Sequence, residues 1–184
     1  TKKEVEKVVE AARIHGVHLI PFGGGTSVVG GVEVPSHLEE PVATLDLKRM
    51  NHLLNVDKQS LLITSQTGVL GPDLERNLKE HGLTLGHFPQ SFEFSTLGGW
   101  LATRSAGQQS NRYGKIEEMV VGLKMVTPQG TLETLSTPAT AVGPNLMQVA
   151  IGSEGVLGII TEATMKVHPI PEMQDYCAFL FPSF

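Results

Sequence analysis

The sequence predicts a mixed α+β fold, and three observations lead to that prediction. Residues 2–15 repeat apolar side chains at i, i+3, i+4 and i+7 and are followed by Gly16, the pattern of an amphipathic helix with a glycine cap. Short apolar runs typical of strands then follow, beginning with three at residues 42–65. The 20 glycines exceed the average share of ~7% and lie mainly in the loops between these elements.

The first predicted strand, residues 17–20, leads directly into a loop with three consecutive glycines. The loop consists of Pro21, Phe22, Gly23, Gly24, Gly25, Thr26 and Ser27. Successive backbone N–H groups of such a loop can hold a phosphate or pyrophosphate, and an ordinary glycine-rich turn would fit the same residues. Because neither a helix nor Gly-Lys-Ser/Thr follows, the loop is not a Rossmann fingerprint or a Walker A motif.

Three strands and a helix are predicted after this loop. The strands lie at residues 42–46, 53–57 and 61–65. A polar connection at residues 58–60 indicates that the last two form a hairpin. The helix spans about residues 71–81, where Glu75 and Lys79 have the spacing of an i,i+4 ion pair.

A second glycine-rich region, residues 86–107, contains a predicted short helix. Ser95 or Thr96 would cap this helix, which runs to about residue 104. Its first N–H groups would be free and would favour an anion. The alternative is that the small residues, such as Gly98, serve only to pack the helix closely against a strand.

The C-terminal part of the chain alternates again between strands, a helix and loops. Strands are predicted at residues 119–126, 131–135 and 159–167, and a short helix at 144–151. A third glycine-rich loop at 152–158 precedes the last of these strands. The apolar run at 178–181 resembles a strand that begins a further domain.

Composition excludes several classes of function. The net charge of −5 and the lack of a basic cluster argue against a nucleic-acid partner. Cys177 is the only cysteine, so an internal disulfide is impossible and a reducing compartment is compatible. No apolar run approaches the ~20 residues of a membrane helix. His15 and His18 are separated by the helix-ending Gly16, so we predict no metal site.

The three glycine-rich loops together resemble one known family. The residues that carry the resemblance lie at 21–27, 94–99, 113–114 and 152–161. Their order and spacing are similar to those in the FAD-binding domain of the vanillyl-alcohol oxidase (PCMH-type) flavoproteins. Within that family, residues 90–104 most resemble the alkyldihydroxyacetonephosphate synthase (alkylglycerone-phosphate synthase) group and its bacterial relatives.

The resemblance implies a fold and a domain organisation. FAD would lie between a small α/β subdomain and a larger mixed sheet flanked by helices. Residues 1–65 would form the first subdomain, which lacks its N-terminal strand, and residues 66–172 the second. Residues 173–184 would begin a truncated cap domain. A homodimer is compatible with this organisation.

The resemblance also implies a set of cofactor-binding residues. Residues 21–27 would hold the pyrophosphate, 90–96 and 103–106 would line the phosphate and flavin side, and 154–160 would contact the adenosine or ribose end. The expected contacts are Pro21, Phe22, Gly23, Gly24, Gly25, Thr26, Ser27, Gln90, Ser91, Phe92, Glu93, Phe94, Ser95, Thr96, Gly98, Gly99, Thr103, Arg104, Ser105, Ala106, Glu154, Gly155, Val156, Leu157, Gly158, Ile159 and Ile160. Some relatives attach the flavin through a histidine where this chain has Thr26, so we predict non-covalent FAD.

Four of the conspicuous side chains have structural alternatives. Arg104 would bind either a cofactor phosphate or a carboxylate such as Glu93, which could instead cap its own loop. Trp100 is more typical of a core residue than of a cofactor-stacking one. His87 precedes a loop expected near the flavin, but a buried structural histidine is the commoner case.

Two activities are open for the longer protein that the resemblance implies. The first is an FAD-dependent alkyltransferase of ether-lipid synthesis, which exchanges the acyl chain of acyl-dihydroxyacetone phosphate for a fatty alcohol. The alternative is an FAD-dependent D-2-hydroxyacid dehydrogenase or oxidase of the D-lactate type. In both cases a small-molecule or lipid-precursor substrate would bind with the cap domain, so catalytic residues are expected outside these 184 residues and the piece alone would be inactive. A bacterial protein of this kind would be cytoplasmic and a eukaryotic one peroxisomal.

Overall fold

A computed structural model describes residues 1–137 and 140–183. In these residues it contains six helices and nine strands, which are interleaved along the chain. In chain order they are α1 Lys2–His15, β1 His18–Phe22, β2 Val42–Asp46, β3 Leu53–Asp57, β4 Leu62–Gln66, α2 Gly71–Lys79, β5 Leu83–Thr84, α3 Leu97–Thr103, α4 Ser110–Tyr113, α5 Ile116–Met119, β6 Val120–Thr127, β7 Gly130–Glu133, α6 Leu146–Ala150, β8 Ile159–Lys166 and β9 His168–Pro169.

Helix α1 forms where the apolar periodicity predicts it. Thr1 and Glu4 form a capping box at its start, and Gly16 ends it in the left-handed conformation with φ of 64°. The apolar face is buried at Val5, Val9 and Ala12. This face packs toward β6, so the helix covers one end of the larger sheet.

The strands form two principal sheets. Strands β1 and β2 are parallel and pair from His18 with Val42 to Phe22 with Asp46. The larger sheet is antiparallel throughout and has the order β3-β4-β8-β6-β7. Residues 53–66 form β3 and β4 and therefore belong to the larger sheet. The subdomain boundary at residue 65 stays a prediction.

Two hydrophobic cores meet at strand β6. The larger core lies between the five-stranded sheet and helices α2, α3, α5 and α6, and it includes Leu123 and Met125. The smaller core lies under α1 and includes Val126. Because β6 is covered on both faces, six of its eight residues are buried. Leu19 of β1 and Leu45 of β2 pack against this smaller core, which brings the two-stranded sheet to the larger one.

Helix α2 is anchored by a carboxylate in a way that differs from the prediction. Glu75 does not pair with Lys79; its carboxylate accepts hydrogen bonds from Thr84 Oγ1 at 2.8 Å, Leu85 N at 2.9 Å and Gly86 N at 3.2 Å. The turn after α2 brings these donors back to the helix, and a buried acceptor for two backbone N–H groups outweighs a solvated ion pair. Burial raises the pKa of Glu75, an effect that its three donors oppose.

We expect Glu75→Ala to destabilise the domain by about 2–4 kcal/mol, because it leaves Thr84 Oγ1 and Leu85 N without an acceptor, whereas Gly86 N keeps Thr84 Oγ1. Urea unfolding of the full-length protein, followed through this domain's transition, measures the change. Glu80→Ala, at an exposed position just beyond the same helix, serves as the control and should cost less than about 0.5 kcal/mol. Equal losses for the two variants would show that the carboxylate does not anchor the turn.

Other differences from the sequence prediction are two unpredicted short helices and one predicted strand that does not form. Short helices α4 and α5 occupy a region where no element is predicted. The predicted strand at 178–181 does not form, because no neighbouring strand lies in reach among the described residues to complete its hydrogen bonds. Phe184, at the end of the segment predicted to begin a cap domain, lies outside the described residues. In the described part of the chain, every helix is too short or too polar to cross a membrane.

Candidate functional site

A cleft of about 360 Å³ lies where the three glycine-rich loops meet. Eighteen of the 27 predicted cofactor-binding residues line it. They are Pro21, Gly23, Gly24, Gly25, Thr26, Ser27, Ser91, Ser95, Thr96, Gly98, Gly99, Thr103, Ser105, Glu154, Gly155, Gly158, Ile159 and Ile160. Residues separated by more than 130 positions in the sequence thus share one cavity.

The first and second loops are in direct contact, and glycine is needed at this contact. A Cβ atom at Gly23 would overlap Thr96 Oγ1, and one at Gly24 would overlap the carbonyl oxygen of Phe94. The backbone of Gly24 therefore lies against the backbone of Phe94, and that of Gly23 against the Thr96 side chain, at separations that any Cβ atom would prevent. The two glycines close one side of the cleft without filling it.

The third loop is joined to helix α3 by backbone hydrogen bonds. Gly152 N donates to Leu101 O at 2.9 Å, and Glu154 N donates to Ala102 O at 3.0 Å. Gly155 has φ of 87° and lies so close to Pro21 that a Cβ atom would be 3.1 Å from Pro21 Cγ. Helix α3 therefore positions both the second and the third loop around the first.

The first loop presents a row of unbonded backbone donors. Within residues 1–137 and 140–183, no hydrogen bond engages the N–H groups of residues 23–27. The first loop residue after β1 is Gly23, so the parallel ladder with β2 has already ended at this point. Consecutive free N–H groups in a glycine-rich turn are a suitable site for a phosphate or another anion.

The start of helix α3 is not such a site, which corrects the prediction. Leu97 N donates to Val69 O, Gly98 N donates to Thr67 O, and Gly99 N donates to the side chain of its cap, Thr96. The segment after β4 therefore satisfies the donors that we expected to be free. Gly98 packs closely on Thr67, as the alternative interpretation of this helix proposes.

The cleft contains very little side-chain charge. Among its described lining residues, Glu154 is the only ionisable side chain, and lysine, arginine, histidine and cysteine are absent. An anion in this cleft would therefore be held by backbone N–H groups and hydroxyl groups. Ser153 Oγ also lines the cleft, is buried, and has no hydrogen-bond partner in the described part of the chain. Such an orphaned polar group is normally satisfied by a ligand or by water.

Arg104 binds neither Glu93 nor the cleft, contrary to both predicted roles. Its guanidinium donates to Gln148 Oε1 at 3.0 Å and to Gln148 O at 2.8 Å. The residue has a left-handed backbone with φ of 51° at the end of α3, which directs the side chain away from the cleft and toward α6. Arg104 therefore holds α6 beside the third loop.

The inner wall behind the cleft is aromatic. Trp100 is buried, as predicted, and donates from Nε1 to Ser95 Oγ at 2.7 Å. Phe92 stacks on Trp100 with ring centroids 6.3 Å apart, and His87 meets the same ring edge-on at 4.9 Å. Since Phe92 is part of this cluster, it supports the cleft from behind.

Nine predicted residues do not line the cleft. They are Phe22, Gln90, Phe92, Glu93, Phe94, Arg104, Ala106, Val156 and Leu157. Phe22 and Arg104 each lie between two lining residues, whereas residues 92–94 and 156–157 form short runs that leave the cleft. Glu93 and Phe94 are exposed, and Val156 is 86% exposed at the surface of the third loop.

Nine lining residues were missed by the sequence analysis. They are Val28, Val29, Gly31, Val32, Leu47, Thr67, Trp100, Ala102 and Ser153. The apolar pair Val28 and Val29 in a polar loop was a usable signal, because loops rarely expose two adjacent valines without a reason. Leu47 and Thr67 follow strands β2 and β4, and only the tertiary arrangement brings them to the cleft.

Comparison with known proteins identifies this architecture. Residues 1–136 match a family model described as an FAD binding domain. The chain belongs to this FAD-binding domain family. The predicted PCMH-type α+β fold and the predicted cofactor class, FAD, are thereby confirmed.

Individual relatives of this FAD-binding domain include two kinds of enzyme. The chain is 49% identical over 182 residues to alkyldihydroxyacetonephosphate synthase of Dictyostelium discoideum, covering 99% of the chain and 30% of that protein. It is 35% identical over 184 residues to mitochondrial D-lactate dehydrogenase [cytochrome] 1 of Saccharomyces cerevisiae, covering 98% of the chain and 31% of that protein. A solved structure of alkyldihydroxyacetonephosphate synthase superposes with a TM-score of 0.88 at 48% identity, over 93% of this chain and 31% of that one. The chain thus spans about a third of the length of these relatives.

Proposed function

We propose that the three-loop cleft holds FAD non-covalently, with the pyrophosphate on the N–H groups of residues 23–27. The observation that carries this proposal is the row of unbonded donors in a cleft that lacks cationic side chains. A pyrophosphate is doubly charged, and hydrogen bonds from several amides to a charged oxygen are each worth about 1.5–3 kcal/mol. These amides could therefore hold the group without a lysine or arginine.

The remaining lining residues suit the other parts of the same cofactor. Glu154 carries the one carboxylate of the cleft and would accept hydrogen bonds from ribose hydroxyls at the adenosine end. Ser91, Ser95 and Ser105 would face the flavin side, in front of the aromatic wall. When bound, FAD supplies the redox-active ring at which the enzyme's chemistry takes place. The role of the protein groups would be to orient that ring.

Non-covalent attachment is supported by the chemistry of the cleft wall. Covalent attachment requires a nucleophilic side chain such as histidine or cysteine. The described lining residues include neither, and Thr26 occupies the position where some relatives carry a histidine. The sole histidine of the aromatic wall, His87, is fully buried behind Ser105.

We expect acid precipitation of the purified full-length protein to release all of its FAD into the supernatant. The absorbance and fluorescence of the two fractions measure this directly. A flavoprotein with a covalently attached flavin, treated in parallel, should keep its colour in the pellet. Flavin in the pellet of this protein would contradict the proposed attachment.

We further propose that the longer protein is an alkyldihydroxyacetonephosphate synthase. The supporting observation is the identity of 49% across nearly the whole domain to one such synthase, against 35% to a D-lactate dehydrogenase. The activity would exchange the acyl chain of acyl-dihydroxyacetone phosphate for a fatty alcohol and release a fatty acid. The dehydrogenase similarity favours a D-2-hydroxyacid dehydrogenase as the second candidate.

An exchange assay separates the two candidates. We expect the full-length protein to incorporate labelled hexadecanol into an ether product, in amounts equal to the fatty acid released. The same preparation should not lose its flavin colour when D-lactate or another D-2-hydroxy acid is added without oxygen. Bleaching by a hydroxy acid together with no incorporation of hexadecanol would reject the synthase and support the dehydrogenase.

A further inference from the structure

His87 is a buried histidine that lies behind the cleft and does not line it. Its side chain is completely buried, and burial lowers its pKa to about 4, so the imidazole is neutral at pH 7. Nε2 lies 3.0 Å from Ser105 Oγ, whereas Nδ1 has no hydrogen-bond partner in the described residues. A neutral imidazole carries one proton, which must sit on one of these two atoms.

The surroundings favour the proton on Nε2. A proton on Nδ1 would leave an N–H group buried without an acceptor, and buried orphan N–H groups are rarer and costlier than buried acceptors without a donor. With the proton on Nε2, the imidazole donates to Ser105 Oγ at 3.0 Å. The hydroxyl proton of Ser105 must then point elsewhere.

Ser105 is fixed so that the cleft is the direction left to it. Its backbone N–H donates to Trp100 O at 3.0 Å, and its carbonyl accepts from Ile116 N at 3.2 Å. Ser105 lines the cleft, whereas His87 does not. Both backbone groups and one side of the hydroxyl are thus engaged by protein.

Ser95 shows the same arrangement with no ambiguity about the proton. Its hydroxyl also lines the cleft and accepts from Trp100 Nε1 at 2.7 Å, and an indole N–H can only donate. The rings of Trp100 and His87 pack edge to face at 4.9 Å. Two adjacent buried rings therefore stand behind two serine hydroxyls of the cleft wall.

We propose that His87 is a positioning residue that holds the Ser105 hydroxyl as a hydrogen-bond donor toward an acceptor atom of the bound flavin. This inference rests on the proposed FAD site and deepens it. His87 does not touch the cofactor, because Ser105 stands between them. This role requires only a hydrogen-bond donor at the Nε2 position, so the imidazole can remain neutral.

The test is a double-mutant cycle on FAD affinity, measured on full-length apoprotein by fluorescence titration. His87→Leu and Ser105→Ala should each weaken FAD binding about tenfold and change the flavin absorption band in the same way, because Ser105→Ala removes one neutral hydrogen bond to the cofactor and His87→Leu removes the donor that orients the Ser105 hydroxyl. The double variant should bind no more weakly than Ser105→Ala alone. His87→Gln places an amide N–H near the Nε2 position and should restore affinity and spectrum to within about threefold of the wild type.

The outcomes separate this inference from the proposal beneath it. A wild-type apoprotein that binds no FAD would overturn the FAD site and this inference together. If the wild type binds FAD but His87→Leu weakens binding equally whether residue 105 is serine or alanine, the inference alone is overturned. The histidine would then act only through packing. A His87→Gln variant that folds properly but does not regain FAD affinity would also overturn the inference.

Discussion

Replacing Gly24 by alanine is expected to weaken FAD binding at least about 100-fold. The added Cβ would overlap the carbonyl oxygen of Phe94, so the first loop must move away from the second. That movement displaces the N–H groups of residues 23–27, and the loss of two hydrogen bonds to a charged group accounts for a factor of this size. Titration of FAD into the full-length apoprotein measures the change.

Gly31→Ala is the matched control for this substitution. Gly31 lines the same cleft, but a Cβ atom there would meet only Ser27 Oγ at 3.3 Å and Glu154 Oε2 at 3.6 Å, which are ends of side chains that can move. We expect its effect on FAD affinity to stay within about threefold. If Gly24→Ala binds FAD as well as Gly31→Ala does, the close approach of the two loops is not needed for the site.

The buried histidine is expected to make the domain's stability strongly dependent on pH. Burial lowers the pKa of His87 from its ordinary value of 6.5 to about 4. The unfolded chain therefore binds a proton between pH 6.5 and 4 that the folded domain does not, and the free energy of unfolding falls as the pH falls through this window. Between pH 7 and pH 5, linkage gives a loss of about 2 kcal/mol from this residue.

His87→Gln removes the titration and keeps a polar side chain of similar reach. Urea unfolding at pH 7 and pH 5 should therefore show a loss about 2 kcal/mol smaller for this variant than for the wild type. All other titrating groups are shared by the two proteins and cancel in the comparison. The same pH dependence in both proteins would mean that His87 is already protonated, or solvated, in the folded domain.

Local patterns in the sequence were sufficient for most elements and for the position of the cleft. The apolar period and the glycine cap predict helix α1, and a short apolar run predicts strand β2. These signals depend only on residues that are close together in the sequence. The three glycine-rich loops were recognisable because close approach of backbones leaves glycine as the residue that fits. The family resemblance that they carry predicted a shared site, and the three loops do line one cleft.

The errors concern partners that are distant in the sequence. Arg104 binds Gln148, 44 residues away, and no local pattern identifies that acceptor. The donors at the start of α3 are satisfied by Thr67 and Val69, which the turn after β4 brings to the helix. Glu75 likewise accepts hydrogen bonds from the turn after α2 and does not pair with Lys79 on its own helix. A side chain's choice between such partners is decided by tertiary packing.

The central claim is that backbone amides of the first glycine-rich loop hold the cofactor phosphates. Amide hydrogen exchange of residues 23–27, measured on the full-length protein with and without FAD, tests it most directly. These amides have no protein acceptor among the described residues, so they should exchange rapidly in the apoprotein and at least about tenfold more slowly with FAD. Binding of FAD with unchanged exchange at residues 23–27 would contradict the claim.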